Sequence, residues 1–229
     1  MGYFKGKQFK KDIILVAIGY YCRFSLSYRD VSELLRERGI SVHPTTTIMR
    51  WEHEYGNLIY QLWKKKNKSA HFVWHLDETY IKVKGKGCYL YRAIDREGYT
   101  LDIQLRKTRD HQAAYMFMKR LVKAFGEPTV LTTDKAPALL CALKKLKHNG
   151  FYVHTKHCAV KHLNNLIEQD HRHIKRRFVK SAGFQSIHHA SRTLKGIETL
   201  HAIYKQKRSH TPDFSFATYK ELQELVRIA

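Results

Sequence analysis

Cysteine is sparse and scattered in this chain of 229 residues: Cys22, Cys88, Cys141 and Cys158 are isolated from one another, with no CxxC pair. That spacing excludes a disulfide framework and a zinc ribbon and leaves four reduced, partly buried thiols. Long apolar runs are missing too. The stretch Ile13 to Ile18 is far shorter than the roughly 20 residues needed to cross a bilayer, and it lacks the small-residue cleavage pattern of a secretory signal. A soluble cytoplasmic protein with no membrane attachment is therefore expected. No internal repeat and no low-complexity tract is present. Acid is also scarce: 20 Asp and Glu stand against 42 Lys and Arg, giving a formal charge of +22.

What remains is the composition of a folded protein, 43% hydrophobic and 12% aromatic, long enough for one ordinary domain plus a small module. The basic excess runs the length of the chain, so the natural partner is a large polyanion. Ribosomal and membrane-surface proteins share such a balance. Nucleic acid suits it best, because neutralising phosphates with Lys and Arg releases condensed counterions.

From Asp12 to Gly39 the pattern is helical, with Ile13, Ile14, Ala17 and Tyr21 near one face of a first helix and Val31, Leu34 and Leu35 on a second. Ser27 caps the second helix, Asp30 occupies the capping-box position and Gly39 terminates it. After a short connection, Thr45 to Tyr55 reads as a third helix that carries Thr45, Thr46, Thr47, Arg50 and His53 as reachable polar groups. This is the arrangement of a helix-turn-helix reader whose last helix enters the major groove. It is equally that of a three-helix bundle in which Ile48 and Trp51 are core and the threonines cap. The module is expected to span residues 1–63, with a basic linker over 64–70.

Beyond the linker, His71 to Asp77 and Cys88 to Asp95 are rich in aromatic and branched residues, and Leu101, Ile103 and Leu105 alternate with polar ones. Three consecutive strands are predicted, the second and third joined by a hairpin at Asp95-Arg96-Glu97-Gly98. Then come a helix over Asp110 to Phe125, a strand over Thr129 to Asp134, a helix over Pro137 to Lys147 and a last strand over Phe151 to Thr155. Three strands followed by helix, strand, helix, strand and helix is the order of an RNase H-like α/β fold. We expect that domain over 71–208, and a tail over 209–229 with a short helix from Tyr219 to Arg227.

Three carboxylates fall at informative places: Asp77 at the end of the first strand, Asp134 at the end of the fourth, and Glu168 inside the helix after the fifth. In an RNase H-like sheet the first and fourth strands lie side by side, so the two aspartates would meet at one edge and the helix could lower Glu168 beside them. Convergent acids repel unless a cation lies between them, and hard oxygen ligands select magnesium or manganese. Two such ions perform phosphoryl transfer. Taken singly, each acid is better read as a turn cap, a helix cap or a solvated surface group. The helix shifts that balance, because at about 100° per residue Asn164, Glu168, His171 and Lys175 share one stripe. Val160, Leu163, Ile167, Ile174 and Phe178 form the adjacent apolar stripe that would anchor it to the sheet.

The runs Trp74 to Tyr80, Tyr89 to Asp95, Thr133-Asp134-Lys135-Ala136-Pro137 and Asn164 to His171 together resemble the catalytic core of the short bacterial insertion-sequence transposases of the IS-six family. The likeness extends from Tyr20-Tyr21 and Ser27 to Asp30 through Lys195 to Glu198, and is weakest after Lys207. It implies a DDE transposase with a retroviral integrase-like core: Asp77, Asp134 and Glu168 as ligands of two Mg2+ (or Mn2+) ions, and Lys175 as the basic residue paired with the glutamate. It implies that the N-terminal helices bind double-stranded DNA at the element's terminal inverted repeats. The enzyme would nick 3' ends and join them to target DNA by transesterification, giving cointegrates, without ATP. A homo-oligomer, at least a dimer, and a nucleoid-associated bacterial protein are implied with it.

Other features have plainer readings. His154, His157, Cys158 and His162 lack regular finger spacing, and Trp51, Trp63 and Trp74 read as core. His171 reads evenly as a site residue or a packed one. Two alternatives to the transposase are a non-catalytic DNA-binding regulator of the element, which has no reason to keep three such acids, and an RNase H-type nuclease, which shares the acids and metals but uses water.

Overall fold

The computed structural model describes residues 3–67, 72–134, 136–159, 164–180, 183–208 and 214–227, with backbone only at 178–180, 207–208 and 214–219. It divides into two compact units: a helical one of Met1–Lys66, Arg176–Ala182 and His188–Ala229, and a sheet-containing one of Asn67–Lys175 and Gly183–Ile187.

The sheet unit starts with β1 (Val73–Val83), β2 (Lys86–Asp95) and β3 (Thr100–Arg106). β1 and β2 pair antiparallel across a two-residue turn, Lys84-Gly85, both at positive φ (51° and 74°), the conformation that matches the twist of a tight hairpin. β2 and β3 pair antiparallel across the expected turn, where the Asp95 carboxylate accepts from the Glu97 and Tyr99 N–H groups. Crossing back to a parallel strand requires a helix. That helix is α4 (His111–Phe125), capped by Asp110, whose side chain accepts from the Ala113 N–H, and ended at Gly126, φ 80°. β4 (Val130–Thr133) then lies parallel to β1, α5 (Pro137–His148) crosses again, and β5 (Lys156–Cys158) lies parallel to β4. The sheet order is β3-β2-β1-β4-β5, the RNase H-like arrangement anticipated from the element order.

Because side chains alternate across a strand, β1 has two faces with different tasks. Trp74 and Leu76 join Tyr91, Ala93, Leu101 and Leu131 in a core covered by Phe117, Met118 and Leu121 of α4 and Leu139 and Leu143 of α5. Each such full burial is worth about 1.5–3 kcal/mol. His75, Asp77 and Thr79 point the other way. On that side lie α6 (Asn165–Asp170) and the first turn of α7 (Arg172–Lys180), held by Ile167 and Ile174, both fully buried.

Two strand expectations need correction. Asp77 is in the middle of β1, not at its end, because Ile81 and Val83 continue the buried alternation to the hairpin turn. The last strand is Lys156–Cys158 instead of Phe151 to Thr155. Tyr152 adopts φ 58° and is fully buried, its hydroxyl donating to the Met118 carbonyl, and a residue bent this way cannot continue a strand.

The helical unit contains α1 (Lys11–Arg23), α2 (Tyr28–Arg36), a π-helical turn at Pro44–Ile48, α3 (Met49–Lys66), most of α8 (Ile187–Arg208) and α9 (Phe214–Arg227). Ser27 and Asp30 form the expected capping box. The segment read as a helix over Thr45 to Tyr55 is the π-helical turn running into α3, and α3 continues through Lys64, Lys65 and Lys66. The first part of the expected linker is thus a helix end, where cationic side chains meet the negative pole of the helix dipole; residues 68–70 lie outside the described residues. The terminal helix begins five residues earlier than Tyr219, at Phe214.

Two glycines let α8 approach α3 closely. A Cβ on Gly56 would lie 3.1 Å from the Arg192 carbonyl oxygen, and one on Gly196 would lie 3.2 Å from the Gly56 Cα and 3.1 Å from Cys22 Sγ. Residues from 188 onward therefore belong to the helical unit by contact, a division different from the boundary at 208 drawn from sequence.

Candidate active site

The parallel pairing of β1 with β4 sets the site. Leu76 is registered with Thr133, so Asp77 and Asp134, each one residue further on, are neighbours at the same level. Asp77 is fixed within β1 and nearly buried; Asp134 sits just beyond β4, where its carboxylate accepts from the Ala136 N–H at 3.1 Å. Burial, and after it the negative charge of Asp77, push the Asp134 carboxyl above its ordinary range, while the Ala136 N–H and Arg109 pull it back.

The third acid comes from the helix on the same side of the sheet. Ile167 seats α6, which leaves the next residue, Glu168, exposed at the rim. Asp77, Thr79, Glu168, His171, Arg172 and Lys175 all line one open pocket of about 420 Å3. The structure thus brings Asp77 beside Asp134, and Asp77, Glu168 and Lys175 to one pocket. It does not close the three carboxylates into a ligand cluster within 4.8 Å. The stripe expected from Asn164 to Lys175 divides: Glu168 and Lys175 are exposed, whereas Asn164 and His171 are buried. Val160 and Leu163 of the apolar stripe, and the side chain of Phe178, lie outside the described residues.

Besides His171, which the sequence places on the Glu168 stripe, four groups neighbour the site without a signal in the local sequence pattern: Arg92, Asp170, Glu78 and Arg109. His171 is buried, its Nε2 lying 3.1 Å from Asp77 Oδ2. Arg92 is fully buried opposite Asp77 in the β1–β2 ladder; its guanidinium donates to Asp170 Oδ2 at 2.9 Å and reaches His171 Nδ1 at 3.2 Å. Counting outward from the Lys84-Gly85 turn would have found Arg92. On the other face, Glu78 pairs with Arg109, whose second nitrogen lies 3.9 Å from Asp134. Burial raises the Glu78 carboxyl, and Arg109 partly offsets that.

In the helical unit, Thr45, Thr46 and Arg50 are exposed at the start of the π-helical turn and α3, with Thr47 half-buried. The His43 ring caps the turn, its Nδ1 accepting from the Thr46 N–H at 3.2 Å. His53 is engaged inside the unit: its ring stacks on His189 at 3.9 Å, and its Nε2 lies 3.6 Å from Glu52 Oε2. Burial, followed by the charges of His189 and Arg192, lowers its pKa to about 4. His157, weighed as part of a zinc site, shares a 2.8 Å hydrogen bond with Thr133 Oγ1; His162 lies outside the described residues.

Residues 71–207 match the model of a DDE-domain family. The chain is 54% identical to the transposase for the insertion sequence-like element IS431mec of Staphylococcus aureus, over 97% of each chain. It is 53% identical, with the same coverage, to the Staphylococcus aureus transposase of IS257 in transposon Tn4003. Among solved structures, the catalytic core domain of HTLV-2 integrase is 19% identical with a TM-score of 0.44, covering 57% of this chain and 85% of that one.

A parallel strand pair presenting two aspartates within a DDE domain defines a polynucleotidyl transferase, an enzyme class that works with divalent metal. The chain belongs to the IS-six family of insertion-sequence transposases, and is a DNA transposase. No helix among the described residues is long and apolar enough to cross a membrane.

Proposed function

We propose that this transposase uses Asp77, Asp134 and Glu168 to hold two Mg2+ or Mn2+ ions, with which it nicks the 3' ends of its element and joins them to target DNA. The observation that carries this reading is the parallel register that sets Asp77 beside Asp134. Their donor chemistry fits: two hard carboxylates, one raising the other's affinity for a proton, form a site that a hard cation stabilises. Bound there, such cations would activate an attacking hydroxyl and stabilise a leaving oxygen in an in-line displacement.

The chain's own side chains do the rest. Lys175 and Arg172, at the rim of the pocket that Asp77 and Glu168 line, hold DNA phosphates and so orient the strand end. Glu168, exposed on α6, has the freedom to close on the aspartate pair when the cations and DNA arrive. Thr45, Thr46, Thr47 and Arg50 read terminal inverted repeats from the start of the π-helical turn and α3, with His53 supporting them from behind. The module extends past residue 63 to include α8 residues. At least a dimer acts, because two element ends are processed together; the product is a cointegrate, and no ATP is consumed.

The test is joining of a labelled terminal-repeat duplex to supercoiled plasmid in Mg2+, with products sized on a denaturing gel. Joined products of plasmid length plus one or two duplexes are expected. Cleavage at scattered positions without joining would identify a hydrolase instead, and a synapse holding one protomer per two ends would refute the dimer.

A further inference from the structure

We propose that His171 is a positioning residue for Asp77, locked in one tautomer by Arg92 and, through Arg92, by Asp170. The inference rests on the reading of Asp77 as a metal ligand.

The three contacts run in line. Asp170 Oδ2 accepts from Arg92 at 2.9 Å, Arg92 meets His171 Nδ1 at 3.2 Å, and His171 Nε2 meets Asp77 Oδ2 at 3.1 Å. A guanidinium has only donors. The contact at Nδ1 is therefore a hydrogen bond only if Nδ1 is an unprotonated acceptor, which places the ring proton on Nε2, where it donates to the carboxylate. This fixes one oxygen of Asp77, and with it the plane of a carboxylate that lines the pocket.

Burial makes the arrangement stiff. Arg92 is fully buried and His171 is 1% exposed. A guanidinium withdrawn from water is costly to leave unpaired, and Asp170 and His171 are among the partners of this one. β2 supplies the arginine directly across from Asp77, and α6 and its C-terminal residue supply Asp170 and His171. The sheet and the helix carrying Glu168 are thus joined through the same chain of contacts that aims Asp77. Outer partners of this kind commonly account for 10–100-fold in metal affinity or activity.

The test compares His171→Phe, which keeps a ring but no donor, with His171→Gln, which keeps an acceptor and a donor on one group, using circular dichroism to establish folding. Mn2+ affinity is read from the free-ion electron paramagnetic resonance signal, without DNA. The account expects His171→Phe to weaken Mn2+ binding about 10–100-fold and His171→Gln to stay within a few-fold of native. Nitrogen-15 spectra of the native, metal-free protein should show the His171 proton on Nε2. A folded His171→Phe with native Mn2+ affinity, or a proton found on Nδ1, overturns the proposal. Asp77→Asn is the control: if it leaves Mn2+ affinity native, the metal-ligand reading itself fails and takes the positioning role with it. If it alone weakens binding while His171→Phe does not, only the positioning role fails.

Discussion

Glu52 makes the chain's stability depend on pH in a way that can be worked out. It is fully buried on α3, where Oε2 accepts from Thr193 Oγ1 at 2.9 Å and from the Tyr28 hydroxyl at 3.3 Å, and Oε1 has no hydrogen-bond partner among the described residues. Burial raises its pKa from an ordinary 4.5 to about 7, with Thr193, Tyr28 and the nearby Arg177 holding it from going higher. The folded protein therefore keeps a proton that the unfolded chain releases. Stability from this group is full below pH 4.5 and is lost as pH rises to about 7. At about 1.4 kcal/mol per pH unit the loss is on the order of 3 kcal/mol. Glu52→Gln keeps an acceptor for Thr193 and Tyr28 but cannot ionise. Between pH 5 and pH 8 the native Tm should fall relative to the variant by roughly 6–12 °C, taking about 2–4 °C per kcal/mol for a chain of this size. His53 works in the opposite sense, since its pKa is lowered to about 4, but it is present in both proteins. Thermal melts at matched ionic strength measure the difference. Parallel Tm curves across that range, or a native protein that gains on the variant as pH rises, would refute the reasoning.

Other outcomes follow from the same geometry. Gly196→Ala should destabilise by about 1–3 kcal/mol in urea melts, since its Cβ must displace Cys22 Sγ or the Gly56 Cα. Ile167→Ala should cost about 2–5 kcal/mol and weaken joining together with stability, because that side chain seats the helix carrying Glu168. Lys175→Ala should leave the fold intact and reduce the salt slope of DNA binding by about one; an unchanged slope would remove Lys175 from the phosphate path. Chelation of divalent metal should abolish joining while leaving capture of terminal-repeat duplex in a gel shift.

The β1–β4 neighbourhood was readable because strand period and element order survive in sequence: Asp77, Asp134 and the helix of Glu168 needed only local patterns plus a fold order. The extent of β1 was misjudged because Glu78, Thr79 and Tyr80 interrupt the apolar run that Ile81 and Val83 resume. The chain from Asp170 through Arg92 to His171 stayed hidden for another reason. An arginine in a strand gives no local sign that it will be fully buried, and only the two-residue turn at Lys84-Gly85 carried its register. The contact of α8 with α3 depends on Gly56 and Gly196, each unremarkable in its own helix and meaningful only when the two backbones touch. The stacking of His53 is hidden for a similar cause: its ring partner, His189, lies far away in sequence.

The most direct measurement of the central claim is strand transfer of a labelled terminal-repeat duplex into plasmid DNA with Mg2+, comparing the native protein with Asp77→Asn, Asp134→Asn and Glu168→Gln. All three variants should bind the duplex as the native protein does and fail to join it. Variants that bind and still join at the native rate would contradict the assignment of these carboxylates to the metal site.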